Sequence, residues 1–285
     1  MKQNVDVKTT DNNEEIVYLR LTDSECYIFN AGSFWSDGGA AMGVLPKILW
    51  GKKIVADHSN RIELAANLLL VITPQLKVLI DSGIGYYPDE RAKKIFQPEP
   101  CRLLESLKKC GYTREEIDYV ILTHLHYDHI GGLVYQEKEV KSIMFPNAKH
   151  VIQKTEWNIA NSPDELNMTA YQYREPLGLL ENSPNLMLID SDYQLTPEIS
   201  LIQTGGHSIG TQIVRIQSEN DLCYYPGDLI PHQFHLNTAV TSAYDINRSQ
   251  TFTAKKKIIE ELEKNEGYLI FNHQPEKKYL KYPLF

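Results

Sequence analysis

The chain has 285 residues, is 42% hydrophobic and 23% charged, and carries a formal net charge of −8. That length buries a substantial core, and an acidic chain without Lys/Arg clusters argues against nucleic acid as a partner. The short run Lys255-Lys256-Lys257 reads as a solvated helix face. Four scattered cysteines (Cys26, Cys101, Cys110, Cys223) form no CxxC pair, which fits a reduced, intracellular protein. No signal-peptide core precedes residue 15 and no apolar run is long enough for a membrane span, so the expected location is cytoplasmic with no membrane partner.

In chain order, residues 1–14 are expected to be a flexible tail and 15–285 a single domain. Ile16–Leu21 and Glu25–Phe29 flank the turn-like Asp23-Ser24 and predict a hairpin. Ala31–Lys53 mixes Phe34, Trp35, Met42, Leu45, Leu49 and Trp50 with glycines. It looks too irregular for a regular element and too apolar for a solvated loop. It reads either as a lid over a pocket or as a packed connector or oligomer contact, the latter compatible with a homodimer. Asn67–Ile72 and Lys77–Asp81 predict a second hairpin. Cys101–Lys109 has leucines at helical spacing, and Thr113–Glu116 looks like a capping box.

The apolar run Tyr119–Leu122 then breaks into Thr123-His124-Leu125-His126-Tyr127-Asp128-His129-Ile130-Gly131-Gly132. A buried strand ending in such a cluster predicts a metal-binding loop rather than a surface loop rich in histidine. Imidazole and carboxylate without cysteine suit zinc, iron or manganese. Alternation along an extended segment lets His124 and His126 grip one ion. Asp128 and His129 lie just beyond and can turn towards a second. Gly131-Gly132 permits a tight backbone turn close to them.

Further on, Lys149–Gln153, Leu186–Ile189, Ile199–Gln203, Gln212–Gln217, Leu222–Tyr225 and Tyr268–Phe271 read as strands. Glu156–Leu180 reads as partly helical, and Ser249–Glu266 as an amphipathic helix stopped by Gly267. Three ligand-type residues sit where strands run out: His207 in Gly205-Gly206-His207, Asp228 in Gly227-Asp228, and His273 in Asn272-His273. With the first cluster they make a full set for two ions. A single ion would leave Asp128, His129 and His273 without an obvious task. His58 and His150 read as structural.

The pattern His-x-His-x-Asp-His at 124–129, Gly-His at 206–207, Gly-Asp at 227–228 and a late His273 resembles the metallo-β-lactamase superfamily. The resemblance spans Asp81 to His273. It implies a four-layer αββα sandwich of two mixed β-sheets flanked by helices, and two divalent metal ions, first of all Zn²⁺, with Mn²⁺, Fe²⁺ and Co²⁺ as alternatives. Carried over by position, His124, His126 and His207 correspond to ligands of the first ion. Asp128, His129 and His273 correspond to ligands of the second, Asp228 to the bridging carboxylate, and Asp81 to a carboxylate supporting the histidine loop. Asp37–Gly39, Val44–Lys47 and Gly227–Pro231 resemble the lactonase and organophosphate-hydrolase-like branch, which includes quorum-quenching acyl-homoserine lactonases. The chain departs from the pattern at Gly205 and Ile209, where prolines are common. It also has Pro231 where some lactonases place a tyrosine three residues after the bridging aspartate; His232 and His235 follow.

The resemblance implies a hydrolase in which a bridging hydroxide attacks a lactone or related ester, with Asp128 or Asp228 moving the proton. N-acyl-homoserine lactone is one such substrate. The expected partner is thus a small molecule, and Phe34, Trp35, Tyr171 and His232 are the candidate pocket residues. The rivals are a glyoxalase II-like thioesterase, which lacks a basic C-terminal patch here, a phosphotriesterase-like hydrolase, and a metal-binding sensor without turnover.

Overall fold

The computed structural model describes residues 5–9, 15–85 and 90–283. Of the expected N-terminal tail, residues 1–4 and 10–14 lie outside this description. Val5–Thr9 departs from the expectation and is a strand (β1), paired antiparallel with Glu15–Arg20 (β2).

The first hairpin continues from β2 into Glu25–Asp37 (β3), which is far longer than its apolar start suggests. Ala31–Asp37, expected to be irregular, extends β3 beyond a register shift between Asn30 and Ser33. The shift lets one strand absorb Gly32 and still pair along Arg61–Ile72 (β4). The rest of that segment holds two short helices, Gly38–Met42 (α1) and Lys47–Trp50 (α2). Met42, Trp50 and Phe34 join Ile62 and Ile84 in a core cluster of their own, so this segment packs as an integral part of the body.

Lys77–Ile80 (β5) is followed by helices Glu90–Phe96 (α3) and Leu103–Lys109 (α4). The capping box at Thr113 and Glu116 is present. Next come Tyr119–Ile121 (β6), the one-turn helix Tyr127–Ile130 (α5), and a small hairpin of Val134–Glu137 (β7) and Val140–Ile143 (β8). Lys149–Gln153 (β9), Lys154–Asn161 (α6), Glu175–Glu181 (α7) and Leu186–Ile189 (β10) complete the first half. The second half is Tyr193–Gln194 (β11), Ile199–Gln203 (β12), Gln212–Gln217 (β13), Leu222–Tyr225 (β14), Arg248–Asn265 (α8), Tyr268–Ile270 (β15) and Tyr279–Lys281 (β16).

These strands form an eight-stranded sheet, β1-β2-β3-β4-β5-β6-β9-β10, and a six-stranded sheet, β11 to β16 in sequence order. Both mix parallel and antiparallel pairs. Strand alternation gives each sheet two apolar faces. The inner faces meet through Ile28, Leu69, Val71, Ile80 and Ile121 on one side and Leu201, Val214, Ile216, Tyr225 and Ile270 on the other. The outer face of the large sheet takes α4 and α7 through Leu103, Leu107, Leu177 and Leu180. The outer face of the small sheet takes α8 through Ala254, Ile258 and Leu262. The result is the four-layer αββα sandwich. No helix among the described residues is long and apolar enough to cross a membrane.

Topology sends the chemistry to one edge of the sandwich. β5 and β6 are parallel in register, Ile80 beside Ile121, so Asp81 and the histidine loop leave the sheet side by side. β14 and β15 are parallel likewise, which brings Asp228 and His273 together. Polar groups stitch the two sheets at this edge. Gln212 N donates to Thr123 O (2.9 Å), and Asn67 N to Asn272 O (2.8 Å). Asn67 Nδ2 donates to the carbonyls of Phe271 (2.9 Å) and Gln274 (2.7 Å).

Candidate metal centre

His124 and His126 lie in the extended turn between β6 and α5, while Asp128 and His129 ride on α5. Gly131 and Gly132 allow this turn to press on the chain after β5. A Cβ on Gly131 would stand 1.9 Å from Ile84 O, and one on Gly132 would stand 2.0 Å from Ser82 O. His207 comes from the loop between β12 and β13, Asp228 from the short 3-10 turn after β14, and His273 from the end of β15.

These seven side chains converge in two groups, each able to hold an ion: His124, His126 and His207, and Asp128, His129, Asp228 and His273. Asp228 stands between the groups. Its Oδ2 is 3.2 Å from His207 Nε2 and 3.9 Å from His124 Nε2. Its Oδ1 is 3.1 Å from His129 Nε2 and 3.0 Å from His273 Nε2. Asp128 Oδ2 adds a further oxygen 3.4 Å from His273 Nε2. The Nε2 atoms of His124, His129 and His273 are buried and make no hydrogen bond. Buried polar atoms are almost always partnered, so three orphaned nitrogens facing carboxylate oxygens fit a cation between them.

Partners behind the ring nitrogens fix the imidazoles. Asp81 accepts from Thr123 N (2.8 Å), and its Oδ2 is 2.7 Å from His129 Nδ1. Asp81 holds a left-handed φ of 59°, a strained conformation for a side-chain-bearing residue that keeps the carboxylate under the loop. His273 Nδ1 lies 2.7 Å from Ala65 O. His207 Nδ1 lies 2.9 Å from Asp245 Oδ1. Each contact turns the opposite nitrogen, Nε2, inward.

Burial holds His124 and His126 well below the usual imidazole range, and neighbouring imidazoles add to the effect, which keeps both neutral with free lone pairs. Burial would also lower His129, but Asp81, Asp228 and Asp128 outweigh it and raise it well above that range. Burial would raise Asp228, yet His273, His129 and His207 hold it well below the usual carboxylate range. The pocket therefore keeps negative charge on Asp228 and demands positive charge around it, from protons or from metal.

The expected pocket residues take different places. The Phe34 ring is edge-on to His273 at 5.5 Å and also meets Tyr127. Trp35 does not join it: alternation along β3 turns Trp35 to the opposite face, beside the exposed Glu63 of β4. Tyr171 packs its ring 5.2 Å from His126 but donates its hydroxyl to Glu156 Oε1 (2.8 Å). It is a wall rather than a donor to the cleft. His232 is buried and stacked on Phe234, and burial with nearby His273 lowers it to about 4. His235 is buried, and burial with Lys255 and His232 lowers it to about 3; His150 is buried with both ring nitrogens unpartnered.

Two supporting residues carry no signature in the sequence. One is Asp245 behind His207. The other is Glu156, fully buried on α6. Its Oε1 accepts from Leu125 N (2.9 Å) and Tyr171, and its Oε2 accepts from Ser208 Oγ (2.6 Å) and Gly210 N (3.1 Å). One carboxylate thus ties the loop of His124 and His126 to the loop of His207.

An αββα sandwich with imidazoles and carboxylates gathered at its strand ends defines a class of metal-dependent hydrolases. Residues 61–273 match the family model of the metallo-beta-lactamase superfamily, and the chain belongs to that superfamily. It is similar to an N-acyl homoserine lactonase of Bacillus cereus, 34% identical over 123 residues, or 42% of this chain and 41% of that protein. An N-acyl homoserine lactonase of Agrobacterium fabrum is 33% identical over 61 residues, 21% of this chain and 20% of the relative. The matches thus span at most about two fifths of these curated relatives. Among solved structures, a probable metal-dependent hydrolase from Staphylococcus aureus superposes with a TM-score of 0.85 at 30% identity, covering 93% of this chain and 94% of that one. AidC, a dizinc quorum-quenching lactonase solved with a product, superposes with a TM-score of 0.70 at 21% identity, covering 100% and 99%; the likeness at that identity concerns the fold.

Proposed function

We propose that the protein is a dinuclear metal-dependent hydrolase that opens a lactone or cleaves a related ester, with an N-acyl-homoserine lactone as the leading substrate. The observation that carries this reading is the division of Asp228, one oxygen towards His124 and His207 and the other towards His129 and His273. His124, His126 and His207 would hold one ion, Asp128, His129 and His273 the other, and Asp228 both. The donor set suits Zn²⁺ and also accepts Mn²⁺, Fe²⁺ or Co²⁺. Two divalent ions held by these residues would lower the pKa of a bound water and would polarise a substrate oxygen.

The chain's own residues do the rest. Of the two candidate carboxylates, Asp128 would accept and pass a proton within the cleft, while Asp228, held well below the usual carboxylate range, would stay ionised between the two ligand groups. Phe34 and Tyr171 supply apolar walls on either side of the ligand groups, for an acyl chain or ring. Asp81, Asp245 and the Ala65 carbonyl keep the imidazoles in one tautomer and orientation. The named lactonase relatives support the choice of lactone over other esters.

The test combines elemental analysis with a substrate panel. Protein loaded with Zn²⁺ or Mn²⁺ is expected to hold two ions per chain and to open acyl-homoserine lactones, with His126→Ala as the inactive control. Failure to hydrolyse any lactone, ester, thioester or phosphotriester would sink the reading.

A further inference from the structure

The segment Asn237–Asn247 between β14 and α8 flanks His207, and its backbone is anchored on three sides. Ala243 N and Ser242 Oγ both donate to Ala40 O of α1, at 2.9 and 3.1 Å. Ile246 N donates to His207 O (3.3 Å) and Asn247 N to Gly206 O (2.9 Å). Buried Lys255 donates through Nζ to Asn237 O (3.1 Å) and Val240 O (2.5 Å). A loop held this firmly positions its side chains well.

Within it, Asp245 turns back to His207, while Tyr244 keeps 47% of its surface exposed. Its hydroxyl lies 3.1 Å from Ser36 Oγ. Ser36 is two residues after Phe34 in β3, so the two share a face of the strand. Phe34 is edge-on to His273. Two residues of strand advance about 6.6 Å, so the Ser36–Tyr244 pair stands one side-chain step along the same wall. Burial raises the Tyr244 phenol above its usual value, the Ser36 contact lowers it, and Asp128, Asp37 and Asp228 add to the rise. The hydroxyl thus stays protonated within the field of the two carboxylates that face the ligand imidazoles.

We propose that Tyr244, steadied by Ser36, is a substrate-contacting residue: its phenol O–H donates a hydrogen bond to the carbonyl or leaving oxygen of a substrate lying between Phe34 and the Asp128–Asp228 carboxylates. The proton stays on the phenol, which orients the oxygen and stabilises charge growing on it. Ser36 has a second role here, since its hydroxyl can accept from the phenol in the free protein and release it when substrate arrives. The identity of the substrate rests on the hydrolase reading above; the placement of the phenol does not.

The test uses metal-loaded full-length protein and two variants. Tyr244→Phe keeps the ring and removes the donor; Ser36→Ala keeps the donor and removes its partner. Three quantities are read: bound metal, kcat and KM on any panel substrate that wild type turns over, and calorimetric affinity for methylphosphonate as a tetrahedral anion. Tyr244→Phe is expected to keep its metal, lose about 10- to 100-fold in kcat with KM within about threefold, and bind methylphosphonate at least about fivefold more weakly. Ser36→Ala is expected to lose less than about tenfold in kcat. Unchanged kcat and unchanged methylphosphonate affinity in Tyr244→Phe overturn the proposal. So does loss of bound metal in that variant, which would make Tyr244 a framework residue. If wild type turns over nothing on the panel, the hydrolase reading fails and the methylphosphonate arm alone decides: a fivefold loss upholds the donor and an unchanged affinity overturns it.

Discussion

Asp245 Oδ1 and His207 Nδ1 lie 2.9 Å apart, joining two loops that are 38 positions apart in the chain. The neighbouring backbone repeats the link, Ile246 N donating to His207 O. His207 is therefore held from behind by a segment that contributes none of the seven ligand-type residues. The carboxylate fixes the Nδ1–H tautomer and leaves Nε2 to face Asp228.

Asp245→Ala is expected to weaken binding of the ion held with His124 and His126 by roughly 10- to 100-fold. Asp245→Asn should lose less, because its amide oxygen still accepts from Nδ1–H. Titration against a chelator of known affinity measures both. Wild-type affinity in Asp245→Ala would show that His207 needs no orienting partner.

Glu156 accepts four hydrogen bonds, drawn from both ligand-bearing loops and from Tyr171. Removing it leaves Leu125 N, Gly210 N and the Tyr171 hydroxyl short of an acceptor inside the protein, while Ser208 Oγ keeps Thr211 Oγ1 at 2.7 Å. Glu156→Ala is expected to cost about 3 kcal/mol or more of folding stability, since each buried orphan costs about 1–3 kcal/mol before relaxation. Denaturant unfolding of the metal-free protein checks this, because without metal the comparison cannot be confused with lost ion binding. A change below about 1 kcal/mol would mean that water replaces the carboxylate.

The histidine loop was legible because its ligand-type residues are close in sequence and follow an apolar strand; His207, Asp228 and His273 gained weight only by recurring at strand ends. The strands around them read correctly because alternation and β-branched residues mark them locally. Ala31–Asp37 did not, because the Asn30–Ser33 register shift interrupts the alternation that signals a strand. That Trp35 falls on the face opposite Phe34 is hidden for the same reason: without the strand, the sequence does not show which residues share a face. Asp245, Glu156 and Tyr244 were illegible because their tasks exist only after distant loops meet. A buried glutamate looks in sequence like any helical glutamate.

Lys255, expected with its two neighbours on a solvated helix face, is instead fully buried with Nζ on the carbonyls of Asn237 and Val240, and its proton makes stability depend on pH with a definite sign. Burial lowers its ammonium from the usual 10.5 to about 7, with Asp245 pulling the other way. Below pH 7 the folded protein carries the full penalty of a buried cation. Between about 7 and 10.5 the unfolded chain binds more protons at this site than the folded one, so stability rises with pH. Lys255→Met lacks this dependence. The stability of wild type minus that of Lys255→Met should therefore increase from pH 7 to pH 9.5, as read from urea unfolding at each pH. A difference that stays flat would place the Lys255 proton above that range in the fold.

Gly43 packs against the Thr241–Ala243 backbone, away from the ligand-type residues but behind the segment that holds His207. It adopts φ +51°, and a Cβ there would stand 2.0 Å from Thr241 O and 2.9 Å from Ala243 N. Those atoms belong to the segment that presents Tyr244 and Asp245, and Val44 N donates to the same Thr241 carbonyl (3.3 Å). Gly43→Ala must either push that segment away or displace α1. The expected cost is about 2 kcal/mol or more of stability, combining a left-handed backbone with overpacking. Because the displaced segment holds His207 through Asp245, the variant should also bind the first ion more weakly, as Asp245→Ala does. Thermal unfolding with and without Zn²⁺ separates the two effects: a shift in the metal-free protein reports strain, and a smaller gain on adding Zn²⁺ reports the loosened His207. An unchanged gain from Zn²⁺ would mean that the contact between α1 and Thr241 serves folding alone.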